Sequence, residues 1–271
     1  MKELTIISLG AGVQSSAMAL MVAKGEITPM VDACIFADTG SEPAGVYSFL
    51  DWLEKELPFP VYRVQHKEGL TRALEDGVAG KKRFASPPLY TRDYATGGVG
   101  ILNRQCTLDY KISPIKKKIR ELLGLKPRQR AKDVNCTQYI GISLDELNRA
   151  RESLVPYIDH VFPLIDKRMK RGDCLEWMKK NKYPTPPRSA CVYCPYHSNH
   201  EWRNIKDNDP EGWKEAIRVD ELLRHGNVKT KSELFVHQSM TPLSEVDLST
   251  DIDRGQTVFS FNDECEGMCG V

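Results

Sequence analysis

No apolar run in this chain approaches the ~18 residues that a membrane-spanning helix needs. Its opening residues also lack the charged-then-apolar layout of a signal peptide. A cytoplasmic location with no membrane partner is therefore expected. Charge of one sign is missing as well: 38 basic and 37 acidic residues leave a net +1. No whole-protein field draws the chain to nucleic acid or to an anionic bilayer, and only local patches stay open. Internal repeats and low-complexity tracts are absent, which excludes solenoids and arrays. For eight cysteines in a reducing compartment, a disulfide framework is disfavoured against thiols, metal ligands or redox groups.

What is present is 41% hydrophobic content over 271 residues. That suffices for one large α/β core, or for a core of roughly 160 residues with a smaller unit behind it. Short β-type runs at 4–8, 33–37, 61–64 and 137–142 alternate with helical patterns at 14–23, 44–57, 70–76, 114–124 and 144–154. Parallel strands need helical crossovers, so this order predicts an α/β fold with a doubly wound parallel sheet. Residues 77–100, rich in Gly, Pro and basic side chains, read as a long irregular loop. Past Pro163 the pattern turns helical and irregular. The expected division is a nucleotide-binding α/β domain over 1–165 and a smaller, mostly helical, cysteine-containing region over 166–271 with a flexible tail.

Between the first strand and the first helix stands Ser8-Leu9-Gly10-Ala11-Gly12-Val13-Gln14-Ser15-Ser16. Glycines let backbone turn tightly against a ligand, the helix's free amides and positive end attract phosphate, and Ser15 and Ser16 add hydroxyl donors. The turn has neither the terminal Lys of a Walker loop nor the dinucleotide spacing. A tight βα connection without a ligand is the plain alternative. Cysteines fall at three stations: Cys106, the pair Cys191 and Cys194, and Cys265 with Cys269 near the C-terminus. Thiolates suit zinc and iron–sulfur clusters alike. Cys191, Cys194, His197 and His200 make a compact Cys2His2 zinc set, with shorter spacing than a finger. Cys34 and Cys136 lie in apolar strand contexts and read as buried core thiols.

These stretches resemble, in order, the motifs of a known family. Gly10-Ala11-Gly12-Val13-Gln14-Ser15 is similar to the Ser-Gly-Gly-x-Asp-Ser loop of the PP-loop (adenine nucleotide alpha-hydrolase-like) superfamily, with Gln14 where that loop has Asp. Asp38-Thr39-Gly40-Ser41-Glu42 resembles its Asp-Thr-Gly-x-Glu, and Arg104-Gln105-Cys106-Thr107 with Lys111 its Arg-x-Cys-Thr and Lys station. Gly141-Ile142-Ser143-Leu144-Asp145-Glu146 with Arg149 resembles Gly-x-Arg-x-x-Glu-x-x-Arg, Ser143 replacing one Arg. Pro163-Leu164-Ile165-Asp166 and Cys191-Val192-Tyr193-Cys194-Pro195 complete the series. Over about residues 5–200 the chain thus resembles the iron–sulfur type of the phosphoadenylylsulfate (PAPS) reductase family.

That resemblance implies a Rossmann-like, HUP-type sheet and phosphate binding at Ser8, Gly10, Gly12, Ser15 and Ser16. It implies nucleotide contacts from Thr39, Gly40, Glu42, Arg104, Gly141 and Arg149, Mg2+ at Asp38, and Lys111 beside the reacting phosphate or sulfur. A 4Fe-4S cluster would rest on Cys106, Cys191 and Cys194, its fourth iron open to sulfur or closed by Cys265, Cys269 or Cys174. The segment from Asp263 to Gly270 loosely resembles the mobile tail of sulfonucleotide reductases, with Cys265 as nucleophile. Plain roles stand beside these: Asp38 as a turn cap, Glu42 as an acid at a helix start, Lys111 and the lysines after it as a solvated face, and Lys81-Lys82-Arg83 as a solubilising loop.

The leading expectation is an ATP-dependent enzyme that adenylates a substrate oxygen, releases pyrophosphate and transfers sulfur, with a 4Fe-4S cluster and Mg2+ as cofactors. Its partners would be ATP, a sulfur donor or thiol reductant, and an acceptor for which a nucleobase in nucleic acid is one candidate. A homodimer is one candidate state. The alternatives are a reductase of adenylylsulfate or PAPS and a zinc-stabilised, non-catalytic nucleotide-binding module.

Overall fold

The computed structural model describes residues 2–84, 86–226, 230–250 and 253. Its strands are β1 (Lys2–Leu9), β2 (Ala33–Asp38), β3 (Val61–Gln65), β4 (Tyr90–Asp93), β5 (Val99–Ile101), β6 (Val134–Ile140), β7 (Ile158–Val161) and β8 (Ser232–Phe235). The α-helices are α1 (Val13–Ala23), α2 (Ala44–Glu56), α3 (Leu70–Val78), α4 (Ser113–Leu122), α5 (Pro163–Asp166), α6 (Arg171–Lys180), α7 (Asn199–Asn208) and α8 (Pro210–Leu223).

Five strands form one parallel sheet in the order β3-β2-β1-β6-β7. Ile6 sits opposite Ala33 on one side and Gln138 on the other, and Cys136 opposite Ile158. Side chains alternate across a strand, so β1 feeds two cores. Ile7 and Leu9 join α1, α2 and α6, whereas Leu4 and Ile6 join Ile115 and Ile119 of α4. Both faces being covered, the central strands read as nearly unbroken apolar runs. The chain order reverses between β1 and β6, and at such a switch point the strand ends open a crevice. The glycine turn, the end of β2 and Gly141 all lie at that end of the sheet. The doubly wound parallel sheet expected from the sequence is the observed fold.

Two local expectations are corrected. Residues 77–100 are not a structureless loop: β4 and β5 pair antiparallel inside it, and β8 completes a three-stranded sheet on β4. The hairpin is pinned by Asp93, whose Oδ1 accepts from the amides of Ala95 and Thr96 and from the Thr96 hydroxyl. Its third strand comes from the far end of the chain, where no local pattern points to it. Residues 144–154 are not a helix either, but a 3-10 turn over Leu144–Arg149 followed by irregular chain. The acids that would cap a helix are engaged elsewhere. Asp145 accepts from the backbone of Arg171, and Glu146 takes Gln14 and Arg149 as partners.

Chain beyond residue 165 contributes to both large cores. Cys174 and Met178 of α6 pack with Met18 and Leu20 of α1. Leu70, Leu74 and Leu89 share a second cluster with Val192, Trp202, Val219 and Leu234. Among the described residues, no helix is long and apolar enough to cross a membrane.

Candidate active site

At the glycine turn, Ala11 takes φ +57° and Gly12 closes the first turn of α1. The Ser15 hydroxyl accepts from the Gly10 amide at 3.1 Å, and the Ser16 amide donates to the Gly12 carbonyl at 3.1 Å. No side chain caps α1 and no acid stands in its first turn, so its positive end is open to an anion. Ser16 is fully buried with an unpartnered hydroxyl, and Gln14 is 2% exposed with an unpartnered Oε1. Gly141, leaving β6, runs so close that a Cβ there would lie 2.7 Å from the Ser15 backbone. Gln14 Nε2 reaches Ser143 Oγ at 3.4 Å and Glu146 Oε2 at 3.1 Å, and Arg149 pairs with Glu146. Gly141 and Arg149 are thus beside the turn.

At the end of β2, Asp38 Oδ1 accepts from the Gly40 amide at 2.7 Å and from the Tyr47 hydroxyl at 2.8 Å. This is the capping role weighed for Asp38, and among the described residues its Oδ2 makes no hydrogen bond. Burial, and then the Asp38 contact, hold the Tyr47 phenol well above its ordinary pKa. Gly40 has φ +76°, a conformation that favours glycine, and a Cβ there would meet the end of the Gln65 side chain, Nε2, at 2.7 Å. Glu42 is not on the surface. Its carboxylate is fully buried and accepts from Lys111 Nζ at 3.1 Å and from Ser189 Oγ at 3.2 Å.

Cys106, Cys191 and Cys194 line one cavity together with Thr39, Arg104 and Lys111, its remaining walls being largely apolar. Lys111 also lines a small cavity formed by Ser8, Gly10, Phe36 and Ile115. It therefore stands between the thiols and the glycine turn. A π-helical turn over Leu108–Ile112, running straight into α4, sets the side chain of Lys111 there. Thr39 Oγ1 lies 3.1 Å from Cys191 Sγ. Burial pushes the Cys191 thiol well up, the nearby Glu42 charge adds to this, and Lys111 and Thr39 pull the other way.

The loop carrying the cysteine pair is tied to the sheet. The Val192 amide donates to the Ser41 carbonyl at 2.8 Å, and the Tyr193 hydroxyl is 3.0 Å from both Ser41 Oγ and Thr71 Oγ1. His197 Nε2 donates to the Cys191 carbonyl at 2.9 Å, and His200 is exposed. That arrangement leaves the alternative Cys2His2 zinc set unassembled. Among the described residues, no three His, Cys, Asp or Glu side chains are near enough to hold one metal ion.

No family model and no curated protein sequence matches the chain. Solved structures do. A PAPS reductase from Candida auris, in complex with phosphate, is 11% identical at a TM-score of 0.42, over 67% of this chain and 74% of that one. A U34-tRNA thiolase from Methanococcus maripaludis, with its 4Fe-4S cluster, is 13% identical at a TM-score of 0.40, over 90% of this chain and 79% of that one.

The donor set fits a cluster better than a single ion. Zinc needs its thiolates about 2.3 Å from one centre. Cys106, Cys191 and Cys194 share one mostly apolar cavity, and soft thiolates in such a setting suit an iron–sulfur cluster. Cys174, a candidate fourth ligand, is fully buried in the core packed against α1 and does not line the cavity of the other three thiols. Cys34 and Cys136 are core thiols as expected, Cys136 pushed up to about 12 by burial. Cys265 and Cys269 lie outside the described residues. In the basic triplet, Lys82 pairs with Glu68 and Asp76, and Arg83 with Asp109. Sequence reasoning missed Gln14 to Ser143, Ser189 to Glu42 and the Ser41, Thr71, Tyr193 cluster. Each joins residues distant in the chain, with no local signal.

Proposed function

We propose that the chain binds ATP at the glycine turn, adenylates a substrate oxygen with release of pyrophosphate, and replaces that oxygen with sulfur. The observation that carries this reading is the position of Lys111, whose side chain is shared by the thiol cavity and by the cavity below Gly10. An amide or carbonyl oxygen is a poor leaving group, and adenylation makes it a good one. The acceptor oxygen attacks the α-phosphorus, the bond to the bridging oxygen breaks, and pyrophosphate leaves. The uncapped end of α1 and the hydroxyls of Ser15 and Ser16 hold phosphate oxygens, while Lys111 and Arg104 stabilise the developing charge. Asp38, with Oδ2 clear, would hold Mg2+, which screens phosphate charge. Hydrosulfide from a sulfur donor then attacks the activated carbon, and AMP leaves carrying the original oxygen. A 4Fe-4S cluster on Cys106, Cys191 and Cys194 would supply an iron with an open position for sulfur.

Anaerobically purified protein given ATP, hydrosulfide and a panel of carbonyl-bearing acceptors tests this. Equal amounts of AMP and pyrophosphate, formed only with an acceptor, are expected, together with a brown chromophore lost in Cys191→Ser. Sulfite released from adenylylsulfate or PAPS would point instead to a reductase. A colourless, zinc-loaded protein that makes no AMP would sink the enzymatic reading.

A further inference from the structure

The turn that carries the cysteine pair rests on the loop after β2 through a row of contacts. Ser189 Oγ lies 3.2 Å from Glu42 Oε2, Cys191 Sγ lies 3.1 Å from Thr39 Oγ1, and the Val192 amide donates to the Ser41 carbonyl at 2.8 Å. Tyr193 closes the row. It is 1% exposed, and its hydroxyl is 3.0 Å from Ser41 Oγ and 3.0 Å from Thr71 Oγ1, which are themselves 3.0 Å apart. Three hydroxyls in a ring satisfy one another, since each has one proton to donate and lone pairs that accept. Ser41 comes from the loop after β2, Thr71 from the first turn of α3, and Tyr193 from between the two cysteines. The start of α3 grips the same loop, the Leu70 amide donating to the Thr39 carbonyl at 3.2 Å. That loop begins at Asp38, whose Oδ1 holds the Gly40 amide at 2.7 Å. Thr39 and Tyr193 both line the thiol cavity.

We propose that Tyr193 is a positioning residue: its hydroxyl joins the cysteine turn to the loop after β2, so that Mg2+ and ATP bound at Asp38 and the glycine turn keep the two thiols in place. The identity of the ligand rests on the adenylating reading above, whereas the link itself does not. A thiol that faces a small cavity is reached by reagent when its turn opens locally. A ligand that binds the closed arrangement better opposes that opening by the ratio of its two affinities, and the closed turn strengthens the ligand by the same factor. The contact that transmits this is Ser41 to Tyr193. Thr71 completes the ring without lying between the two sites.

The test uses the cluster-free full chain. Iodoacetamide labelling of Cys191 is mapped by mass spectrometry, hydrogen exchange follows the Val192 amide, and calorimetry follows ATP. Three variants each delete one hydroxyl of the ring. Tyr193→Phe and Ser41→Ala cut the Ser41 to Tyr193 contact, and Tyr193→Phe leaves Ser41 and Thr71 paired, so no hydroxyl of the ring is orphaned. Thr71→Val keeps that contact. Without nucleotide, Tyr193→Phe and Ser41→Ala are expected to label and exchange about fivefold faster than the parent, and Thr71→Val at the parent's rate. Mg2+ and ATP should slow the parent and Thr71→Val by about fivefold more, and the other two variants not at all. Equal rates in the parent and Tyr193→Phe overturn the proposal. The same acceleration in all three variants does so too, because it reduces the hydroxyl ring to general packing. ATP that binds the parent without slowing Cys191, or that protects Tyr193→Phe as fully, also overturns it. Failure of ATP to bind sinks the adenylating reading, and the pattern among the nucleotide-free variants then decides the link by itself.

Discussion

Gln14 and Ser143, two of the positions at which the chain departs from the motifs it resembles, touch each other. Gln14 Nε2 donates to Ser143 Oγ at 3.4 Å and to Glu146 Oε2 at 3.1 Å. This neutral pair links the glycine turn to the segment after β6. Gln14→Asp would set a carboxylate against Glu146 at a position only 2% exposed. Like charge and burial raise the new group's pKa above its unfolded value. The penalty is therefore present at neutral pH and is relieved as pH falls. Urea unfolding should show a loss of about 2 kcal/mol at pH 7 that shrinks under acid conditions. Equal stability at both pH values would mean that residue 14 does not face Glu146.

Gly141→Ala tests the close approach of β6 to the phosphate turn. The added Cβ would meet the Ser15 backbone at 2.7 Å, and backbone cannot swing aside as a long side chain can. A loss of about 2 kcal/mol is expected from the overpacking. ATP affinity should fall by more than global stability explains, because Ser15 and the end of α1 are what move. Thermal melts and ATP titrations on the same variant decide it.

The central sheet was legible because buried parallel strands and their helices write local periodicities. The register of Leu4 to Leu9 against β2 and β6 follows from that alternation. The hairpin at Tyr90 to Ile101 was not legible, because β8, its stabilising partner, lies more than a hundred residues downstream. The same limit applied at the site. Motif order brought Cys106, Cys191, Cys194 and Lys111 to one cavity, as the structure has them. Nothing local told that Glu42 would be buried against Lys111. An isolated acid near a helix start looks the same whether it caps, binds a metal or neutralises a distant lysine.

Lys111 and Glu42 should behave as a coupled pair. The Lys111 side chain is 7% exposed and that of Glu42 0%. Lys111→Met leaves a buried carboxylate whose strongest partner is gone, at a cost of about 3–5 kcal/mol. Adding Glu42→Gln should recover much of that stability but none of the AMP-forming activity. A double-mutant cycle in denaturant with a coupling near zero would refute the pairing.

Thr39→Val should change the chemistry of Cys191 without loading any metal. The Thr39 hydroxyl, 3.1 Å from Sγ, favours the thiolate of a thiol that burial otherwise holds protonated. Removing it raises the thiol pKa further, so less thiolate is present at any given pH. Reaction of Cys191 in the cluster-free protein with a small methylating reagent should slow about threefold. Peptide mapping by mass spectrometry reads the site, and an unchanged rate would show that the hydroxyl does not serve the sulfur.

Glu201 supplies a pH-dependent part of the stability behind the cysteine pair. It pairs with Arg188, accepts from the Ser198 amide at 2.7 Å and stands 3.8 Å from His197 Nδ1, while His197 Nε2 supports the Cys191 carbonyl. Burial acts to raise its pKa, but the His197 and Arg188 contacts outweigh it and bring the carboxyl down to about 2. The folded value is below the unfolded one. The stabilisation is therefore fully present above an unfolded pKa of about 4.3 and is lost as pH falls toward 2. A shift of that size corresponds to on the order of 3 kcal/mol. Glu201→Gln should destabilise the protein at pH 7 by roughly that amount and flatten its acid limb between those two values. Because the same carboxylate orders the turn after Cys194, the variant's cysteine pair should also alkylate faster at neutral pH. An acid limb identical to that of the parent would show that Glu201 is not ionised by these partners.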